Sequence, residues 1–398
     1  MLTIALFYYI ISFGSTNSAR GGIKMKIFCI SEGSIYRIDS GKPKQITCGR
    51  IRDYLNAVNE MKKRDEWKTT GSGAQFMQVE EKYYDTEGEF LRSLSSDGKR
   101  LVYGTFIDNV GGLYFKDPDT DDETYIFANQ TVIPGRMSFR NGKCCIDAGE
   151  GAYERHIAWI DTNNGGVDQL TEGFTNESSP FISRCDPDTV YYTAMGFAQN
   201  SYGQVLERSP RTISMYSART GELTDVVAND DFDHIYPSDD TDGNLYYIRR
   251  KYEPTRRKSN IGKDILMFPV RLVKAIGGFL SIFSMRYGGE PLRTGGMNPA
   301  RSKVADEREV FIEGNLVKAK RISDSEKSDE GIIPPEWTLI KRTPDGSETV
   351  LAKGVMDYLL LDSGVILYSD GRFVKRLSGG KTETVCRIDL AHCISVTE

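Results

Sequence analysis

Only three histidines occur, His156, His234 and His392, each beside a segment rich in β-branched and aromatic residues. Three imidazoles brought from separate segments to one axis could hold a metal that activates water. Isolated histidines at strand edges are more often plain hydrogen-bonded groups, and nothing in their spacing gives these three a common centre. A second candidate is "WKTTGSGAQFM", where Trp67 and Lys68 precede Gly71, Ser72 and Gly73. Such a turn can aim consecutive backbone N–H groups at an anion, with Lys68 adding charge. It lacks the Gly-Lys-Ser/Thr ending and the following helical pattern of a nucleotide-phosphate loop, so a loop tucking Trp67 and Phe76 onto the protein is the favoured reading. The acidic runs "DPDTDDE" and "NDDFD" lack the alternation of a calcium loop and read as solvated turns. No Gly-x-Ser-x-Gly occurs, nor the strand–helix alternation that would house it. No cofactor is expected, and a non-catalytic binding protein is the expectation. A lyase or hydrolase with a metal or polar site in a central tunnel is kept as the alternative.

A charged and apolar window offers recognition instead of catalysis. Arg249 to Lys303 contains 13 Lys and Arg against Glu253, Asp264 and Glu290, which leaves +10; with the whole chain at −5, the remainder is −15. Charge concentrated in this way suggests an anionic partner. Inside the window, "DILMFPVRLVKAIGGFLSIFSM" places Arg271, Lys274, Gly278, Ser281 and Met285 at three- and four-residue steps among apolar residues. A helix over about 264-286 would have a narrow polar stripe and a wide apolar face. Two cations near the middle of a barely sufficient length argue against a transmembrane span. Three uses remain: a lid buried on the protein itself, a helix lying in a membrane interface, or a helix seated in a partner's groove. Arg249, Arg250, Lys251, Arg256, Arg257 and Lys258 supply the polybasic signal that surface anchoring needs, and Phe268, Leu272, Phe279 and Phe283 the apolar area. Nucleic acid is not expected, because the aromatic residues are grouped in the apolar stretch rather than interleaved with the cations. The expected partner is a protein or an anionic membrane surface.

Seven cysteines, without framework or metal-ligand spacing, read as free thiols and favour a reducing compartment. The first residues, "MLTIALFYYIISFGSTNSAR", have an apolar core and a small-residue end but lack a positive start. Codons for Arg20, Gly21 and Gly22 can spell a ribosome-binding sequence shortly before Met25. Residues 1–24 are therefore expected to be translated leader and 25–398 the folded protein, cytoplasmic and associated with a membrane. A genuine signal segment, and with it an extracytoplasmic location, is the alternative.

Repetition organises the chain. Turn-rich tetrads recur at "SSDG", "FRNG", "CDPD", "DTDG" and "LDSG", each followed by a strand such as "KRLVYGTF", "TVYYTAM" or "NLYYIRR". A second strand, a polar turn and a short third strand complete a unit of four strands, a to d, at roughly 45-residue spacing, the pattern of propeller blades. Near Met25 only strands b, c and d are present, and "HCISVTE" at the other end offers the missing a. Pairing the two ends would remove exposed edges and make six blades.

The segment "QLTEGFTNESSPFISRCDPDTVYYTA" resembles the TolB-like, WD40-like repeat family: an outer strand ending in Leu-Thr-x-Gly, a Ser-Pro segment, an Asp turn and a strand with paired aromatics. The Trp that often precedes Ser-Pro is absent. The resemblance implies an all-β propeller and no particular reaction.

Against this period, additions stand out. From Gly243 to Gly364 is 121 positions, whereas Gly98 to Gly142 is 44. An insertion at 254-335 is expected between strands b and c of the fifth blade. Smaller ones are expected at Gly196 to Pro210 and at Arg50 to Gln78, with a helix over Arg50 to Glu66. In propellers b–c and d–a connections leave from one face, so these additions should crowd one rim, where function is expected.

Overall fold

The recurrent tetrads become turns for a definable reason. In "FRNG", Asn141 and Gly142 take φ of 51° and 77°, the left-handed pair that a two-residue hairpin requires. In "SSDG" and "DTDG" the aspartate folds the turn: Asp97 accepts the N–H groups of Lys99 and Arg100 at 3.0 and 2.9 Å, and Asp240 those of Asp242 and Asn244 at 3.0 and 2.9 Å. Each turn sends the β-branched and aromatic run after it back along the run before.

The computed structural model describes residues 25–69, 90–120, 122–149, 154–173, 175–199, 205–253, 307–312, 315–320 and 330–397. It is mostly antiparallel β. The first sheet joins β1 (Lys26–Ser31), β2 (Ser34–Asp39) and β3 (Lys42–Ile46) to the last strand, β27 (His392–Thr397), in the order β27-β1-β2-β3. Lys26 faces Thr397 and Ile27 faces Val396, so the two ends of the described chain share a sheet. The second sheet runs β4 (Leu91–Ser96), β5 (Leu101–Ile107), β6 (Val110–Lys116) and β7 (Glu123–Asn129). A nine-stranded sheet follows, made of two groups joined by one parallel pair, Arg155 with Asn176. Its third-sheet group is β8 (Ile133–Arg140), β9 (Lys143–Gly149), β10 (Arg155–Ile160) and β11 (Val167–Gln169). Its fourth-sheet group is β12 (Thr175–Ile182), β13 (Thr189–Gln199), β15 (Thr212–Ser217) and β16 (Glu222–Val227), with β14 (Val205–Arg208) on the far end of β13. The fifth sheet orders β17 (Phe232–Asp239), β18 (Leu245–Lys251), β21 (Thr338–Arg342) and β22 (Glu348–Lys353). β18 pairs directly with β21 although residues 252–337 intervene, and these contain the hairpin β19 (Glu307–Ile312) and β20 (Asn315–Lys320). The sixth sheet is β23 (Asp357–Leu360), β24 (Ile366–Ser369), β25 (Phe373–Ser378) and β26 (Lys381–Arg387).

Apolar side chains fill the seams between successive sheets. Phe28 and Ile30 meet Leu91 and Leu101; Val102 and Leu113 meet Met137 and Ile146; Cys145 and Ile157 meet Ile182 and Val190. Ile213 meets Leu245 and Tyr247, and Ile248 and Leu339 meet Tyr358 and Ile366. Leu367, Val374 and Cys386 of the sixth sheet then pack on Ile27, Cys29 and Ile38 of the first. Each large side chain so buried stabilises the fold by about 1.5–3 kcal/mol. All seven cysteines are unpaired, and burial pushes the Cys144 and Cys48 thiols up to about 12.

The helix, α1 (Gly49–Thr69), spans the expected Arg50 to Glu66 and runs a little beyond it at each end. β3 is short, so the chain turns into the first seam, where Cys48 is buried among Tyr103 and Tyr114. There the Glu123 carboxylate accepts the N–H groups of Gly49 and Arg50 at 2.9 and 3.3 Å, together with the Tyr103 hydroxyl at 2.7 Å and the Lys116 ammonium at 3.1 Å. A carboxylate at a helix N-terminus meets both the unpaired amides and the helix dipole. Further along, Tyr54 packs edge-on to Phe90 at 5.4 Å, just before β4 begins.

Candidate functional site

The strongest concentration of buried charge lies at the starts of the innermost strands. In five of these strands, β27, β4, β8, β12 and β17, pairing with the next strand slips by a bulge. Bulges re-aim backbone and side chains. Ser179, Tyr236 and Cys393, within three of them, have φ of 56°, 58° and 50°. The carboxylate of Asp147 on β9 accepts the backbone N–H of Arg136 at 2.9 Å and that of Ser179 at 3.0 Å, and the Nε–H of Arg155 at 2.8 Å. This packing requires a glycine at position 135, since a Cβ there would lie 1.8 Å from Asp147 Oδ1 and 2.4 Å from Arg155 Nη2.

From the same bulge the Arg136 side chain leaves the third sheet and reaches the sixth. Its two terminal nitrogens lie 3.2 and 3.0 Å from the Asp357 carboxylate, and its guanidinium lies over the Tyr236 ring at 3.8 Å. Asp357 also accepts the N–H groups of Tyr358 and Cys393. Tyr358 donates its hydroxyl to the Tyr236 carbonyl at 2.8 Å. Side chains of the third, fifth and sixth sheets and backbone of the first are thus tied together across the molecule. At the opposite ends of the inner strands Arg184 does the same: its Nε donates to Asp362 at 3.0 Å and its Nη1 to the Asp239 carbonyl at 2.6 Å, with Arg140 3.6 Å from Asp362.

Beside the Arg136 pair, at the seam of the fourth and fifth sheets, Asp233 gathers three arginines. Arg208 grips both its oxygens, at 3.0 and 3.2 Å. Arg250 Nε lies 3.3 Å away, and the backbone N–H of Arg211 donates at 2.9 Å. Burial works to raise the Asp233 carboxyl, but the Arg208 hydrogen bonds and the Arg250, Arg208 and Arg211 charges outweigh it and hold it below its usual range. Arg208 stacks on Tyr252 and donates to the Glu253 carbonyl; Arg250 stacks on Trp337 at 4.6 Å. Two surface grooves, about 340 and 580 Å³, lie apart from this crown of arginines, at Arg37 and Asp119 and at Trp159 and Lys143.

The residues singled out from sequence are distributed differently. His156 on β10 lies 3.5 Å from Glu177, His234 on β17 packs edge-on to Tyr247 at 5.4 Å, and His392 on β27 meets the Leu390 carbonyl at 3.1 Å. Each has its own surroundings, and among the described residues no group of three or more His, Cys, Asp or Glu could hold a metal. Arg249 pairs with Glu348 at 2.7 Å and stacks on Phe232, and Lys251 is exposed. Arg250 is a correction: it is 6% exposed and committed to Asp233 and Trp337, because alternate residues of β18 face opposite ways, so it offers nothing to an external surface. Trp67 and Lys68 fall in the last turn of α1 rather than in a loop. Gly71, Ser72, Gly73, Arg256, Arg257, Lys258, Phe268, Arg271, Leu272, Lys274, Phe279 and Phe283 lie outside the described residues, as do residues 1–24 and the stretch 264-286. Sequence reasoning missed Arg136, Asp147 and Asp357, and Asp233, expected in a solvated turn with the rest of "NDDFD", is 1% exposed. For Arg136, Asp233 and Asp357 the signal was a charge near the head of a strand, visible once "PGRMSF", "DHIYPS" and "MDYLL" are aligned by repeat; Asp147, inside β9, had none.

No protein-family model matches the sequence, and no curated protein does. Among solved structures the chain is similar to TolB from Acinetobacter baumannii, at 9% identity and a TM-score of 0.49 over 94% of this chain and 66% of that one. It is also similar to a chain of the nidogen/laminin complex (10% identity, TM-score 0.30, 57% of this chain and 89% of that one). A third is a puromycin-hydrolyzing peptidase of Mycobacterium tuberculosis (13% identity, TM-score 0.37, 75% of this chain and 46% of that one). TolB-like propellers are thus among its structural neighbours, and it spans just under two thirds of the Acinetobacter protein.

Proposed function

We propose that the six sheets are the blades of one closed propeller that serves as a non-catalytic binding scaffold. Two observations support the ring: β27 pairs with β1, and the apolar seam after the sixth sheet returns to the first. The working face is the edge from which strand b leaves and strand c returns. The β13–β14 extension and residues 252–337 both depart there, and Arg208 at the end of β14 bonds to Asp233 and Glu253 of the next sheet. The observation that carries the reading is this meeting of elaborated connections over an arginine-rich floor. The partner is an anionic membrane surface, or failing that a protein. The +10 window from Arg249 to Lys303 and the apolar 264-286 stretch supply charge and area together, with about 1 kcal/mol from each cation close to an anionic surface. A tunnel-based lyase or hydrolase has less support, since Arg136–Asp357 joins the third sheet to the sixth and Arg184–Asp362 the fourth to the sixth, across the space where its substrate would sit.

Co-sedimentation of the full chain with vesicles tests this. Binding should need anionic lipid and weaken at high salt as screening shortens the reach of the cations. Binding indifferent to lipid charge would remove the electrostatic half of the reading. No binding at all, with Leu272 and Phe279 shielded from solvent labelling in the free protein, would make the apolar stretch an internal lid.

A further inference from the structure

The larger surface groove, about 580 Å³, opens where turns of the third and fourth sheets face each other: β8–β9, β10–β11, β12–β13 and β15–β16. In antiparallel sheets these turns sit at the strand ends opposite to the β9–β10 and β13–β14 connections, so the groove lies away from the elaborated edge. Trp159 on β10 lines it with a half-buried indole, and Asp168 on β11 stands directly across the strand pair from Trp159. Lys143 places its ammonium 5.7 Å from the indole centroid while donating to Asp188 at 2.9 Å and to the Pro187 carbonyl at 3.3 Å. The ring therefore already has a cation beside it, near the roughly 6 Å limit of such attraction. Three carboxylates, Asp161, Asp168 and Asp188, line the groove against the single Lys143 ammonium, a balance of −2. Arg219 at the rim lies 3.5 Å from Asp186, and that pair leaves the balance unchanged. Asp161 accepts the Asn163 N–H at 2.9 Å within its own turn, whereas exposed Asp168 has no hydrogen bond or ion pair among the described residues.

We propose that this groove binds an arginine-bearing segment of a partner protein, with the guanidinium against Trp159 and its N–H groups turned to Asp161 and Asp168. A guanidinium is planar and weakly hydrated, so it can stack on an indole face and fork onto a carboxylate at once. Charge complementarity decides the sign of the occupant: an anionic or neutral segment would leave two of the three carboxylates without a counter-charge. The open shape decides its kind. A small metabolite is held where most of its surface is enclosed, whereas an open groove suits a chain passing across it. Val167, 40% exposed beside the groove, offers apolar contact to the residues that flank the arginine. This site uses strand ends opposite to those of the scaffold reading and goes beyond it.

The full chain is titrated calorimetrically with the peptide acetyl-Gly-Arg-Gly-Arg-Gly-amide, with its glutamate counterpart and with N-acetylarginine amide, while tryptophan emission is followed in parallel. Saturable binding of the arginine peptide is expected, weakening as salt screens the carboxylates, and the glutamate peptide should not bind. Trp159→Leu should weaken binding about tenfold or more, and Asp168→Asn about threefold. Lys143→Met removes the competing cation and should tighten binding, an outcome that a merely structural role for these residues would not give. Should Trp159→Leu fail to fold, Asp168→Asn, at an exposed position, decides together with Lys143→Met. Absence of saturable binding, equal binding of the glutamate peptide, an affinity unchanged in Trp159→Leu and Asp168→Asn, or one not raised in Lys143→Met overturns the proposal. N-acetylarginine amide binding as tightly as the peptide overturns a protein segment as the occupant, since the flanking chain would then add nothing. Vesicle binding is read separately, and either result leaves the other standing.

Discussion

Asp357→Asn is the sharpest probe of the cross-molecule tie. The native carboxylate is 1% exposed and accepts three hydrogen bonds, from Arg136 Nη1 at 3.2 Å, the Tyr358 N–H at 2.8 Å and the Cys393 N–H, with Arg136 Nη2 a further 3.0 Å ion-pair contact. Asparagine keeps one oxygen to accept but presents an N–H₂ group to donors and leaves the Arg136 charge unmatched. Breaking a buried ion pair from one side costs about 3–5 kcal/mol, and a buried N–H left without an acceptor about 1–3 kcal/mol. Arg136 is partly exposed and keeps its Tyr236 contact, which places the loss near the lower end, about 3–4 kcal/mol. Against a typical total of about 5–15 kcal/mol that is a large fraction.

Equilibrium urea unfolding, followed by tryptophan fluorescence and far-ultraviolet circular dichroism, reads the loss as a lowered midpoint. Removing both charges in Arg136→Met/Asp357→Leu should recover most of it, because the costly species is the uncompensated ion. Since Asp357 also holds the Cys393 N–H, amide exchange in Asp357→Asn should accelerate along β27 and β1 more than along β5 and β6. An unfolding free energy within about 0.5 kcal/mol of the parent would refute the account, as would a double variant that loses the sum of the two singles.

Deleting Ser395 to Glu398 removes the pairs of Ser395, Val396 and Thr397 with Phe28, Ile27 and Lys26; the thermal midpoint should fall, and an unchanged one would mean the first sheet stands without β27. His234 is buried, and desolvation holds its pKa below the ordinary value despite an opposing hydrogen bond with Arg211. The unfolded chain therefore takes up that proton first, so this contribution to stability is complete above about pH 6.5 and is lost as pH falls toward the folded value. Stability of His234→Gln should decline less than that of the parent between pH 7 and pH 5, and equal slopes would show that the imidazole is not the group responsible. Asp233, also held below its usual range, loses its contribution only below about pH 4 and does not interfere.

The repeat was legible because strands and turns are local. An Asp-Gly or Asn-Gly tetrad folds itself wherever it stands, as the bonds of Asp97 and Asp240 show, and the runs after it are rich enough in β-branched and aromatic residues to mark the strands. Helix α1 was legible in kind and position, expected over Arg50 to Glu66 and found over Gly49–Thr69, but the carboxylate that receives its first N–H groups, Glu123, lies 74 positions away and was not. The arginine crown was illegible for the same reason in stronger form. Arg136 and Asp357 lie 221 residues apart, and nothing near either one announces the other. Arg250, read as one of a run of basic residues, faces inward because strand geometry separates it from Arg249 and Lys251.

The crossing pairs also bear on where function can reside. Ion pairs between distant sheets are poor sources of stability compared with apolar packing, yet here they are matched at both ends of the inner strands, Arg136 with Asp357 and Arg184 with Asp362. What they supply is registry: each is satisfied only when the third, fourth and sixth sheets stand at one spacing, and Tyr236 and Asp239 of the fifth sheet complete the same contacts. A body held in this way resists sliding of one sheet against another, so the connections that leave the sheets start from fixed positions.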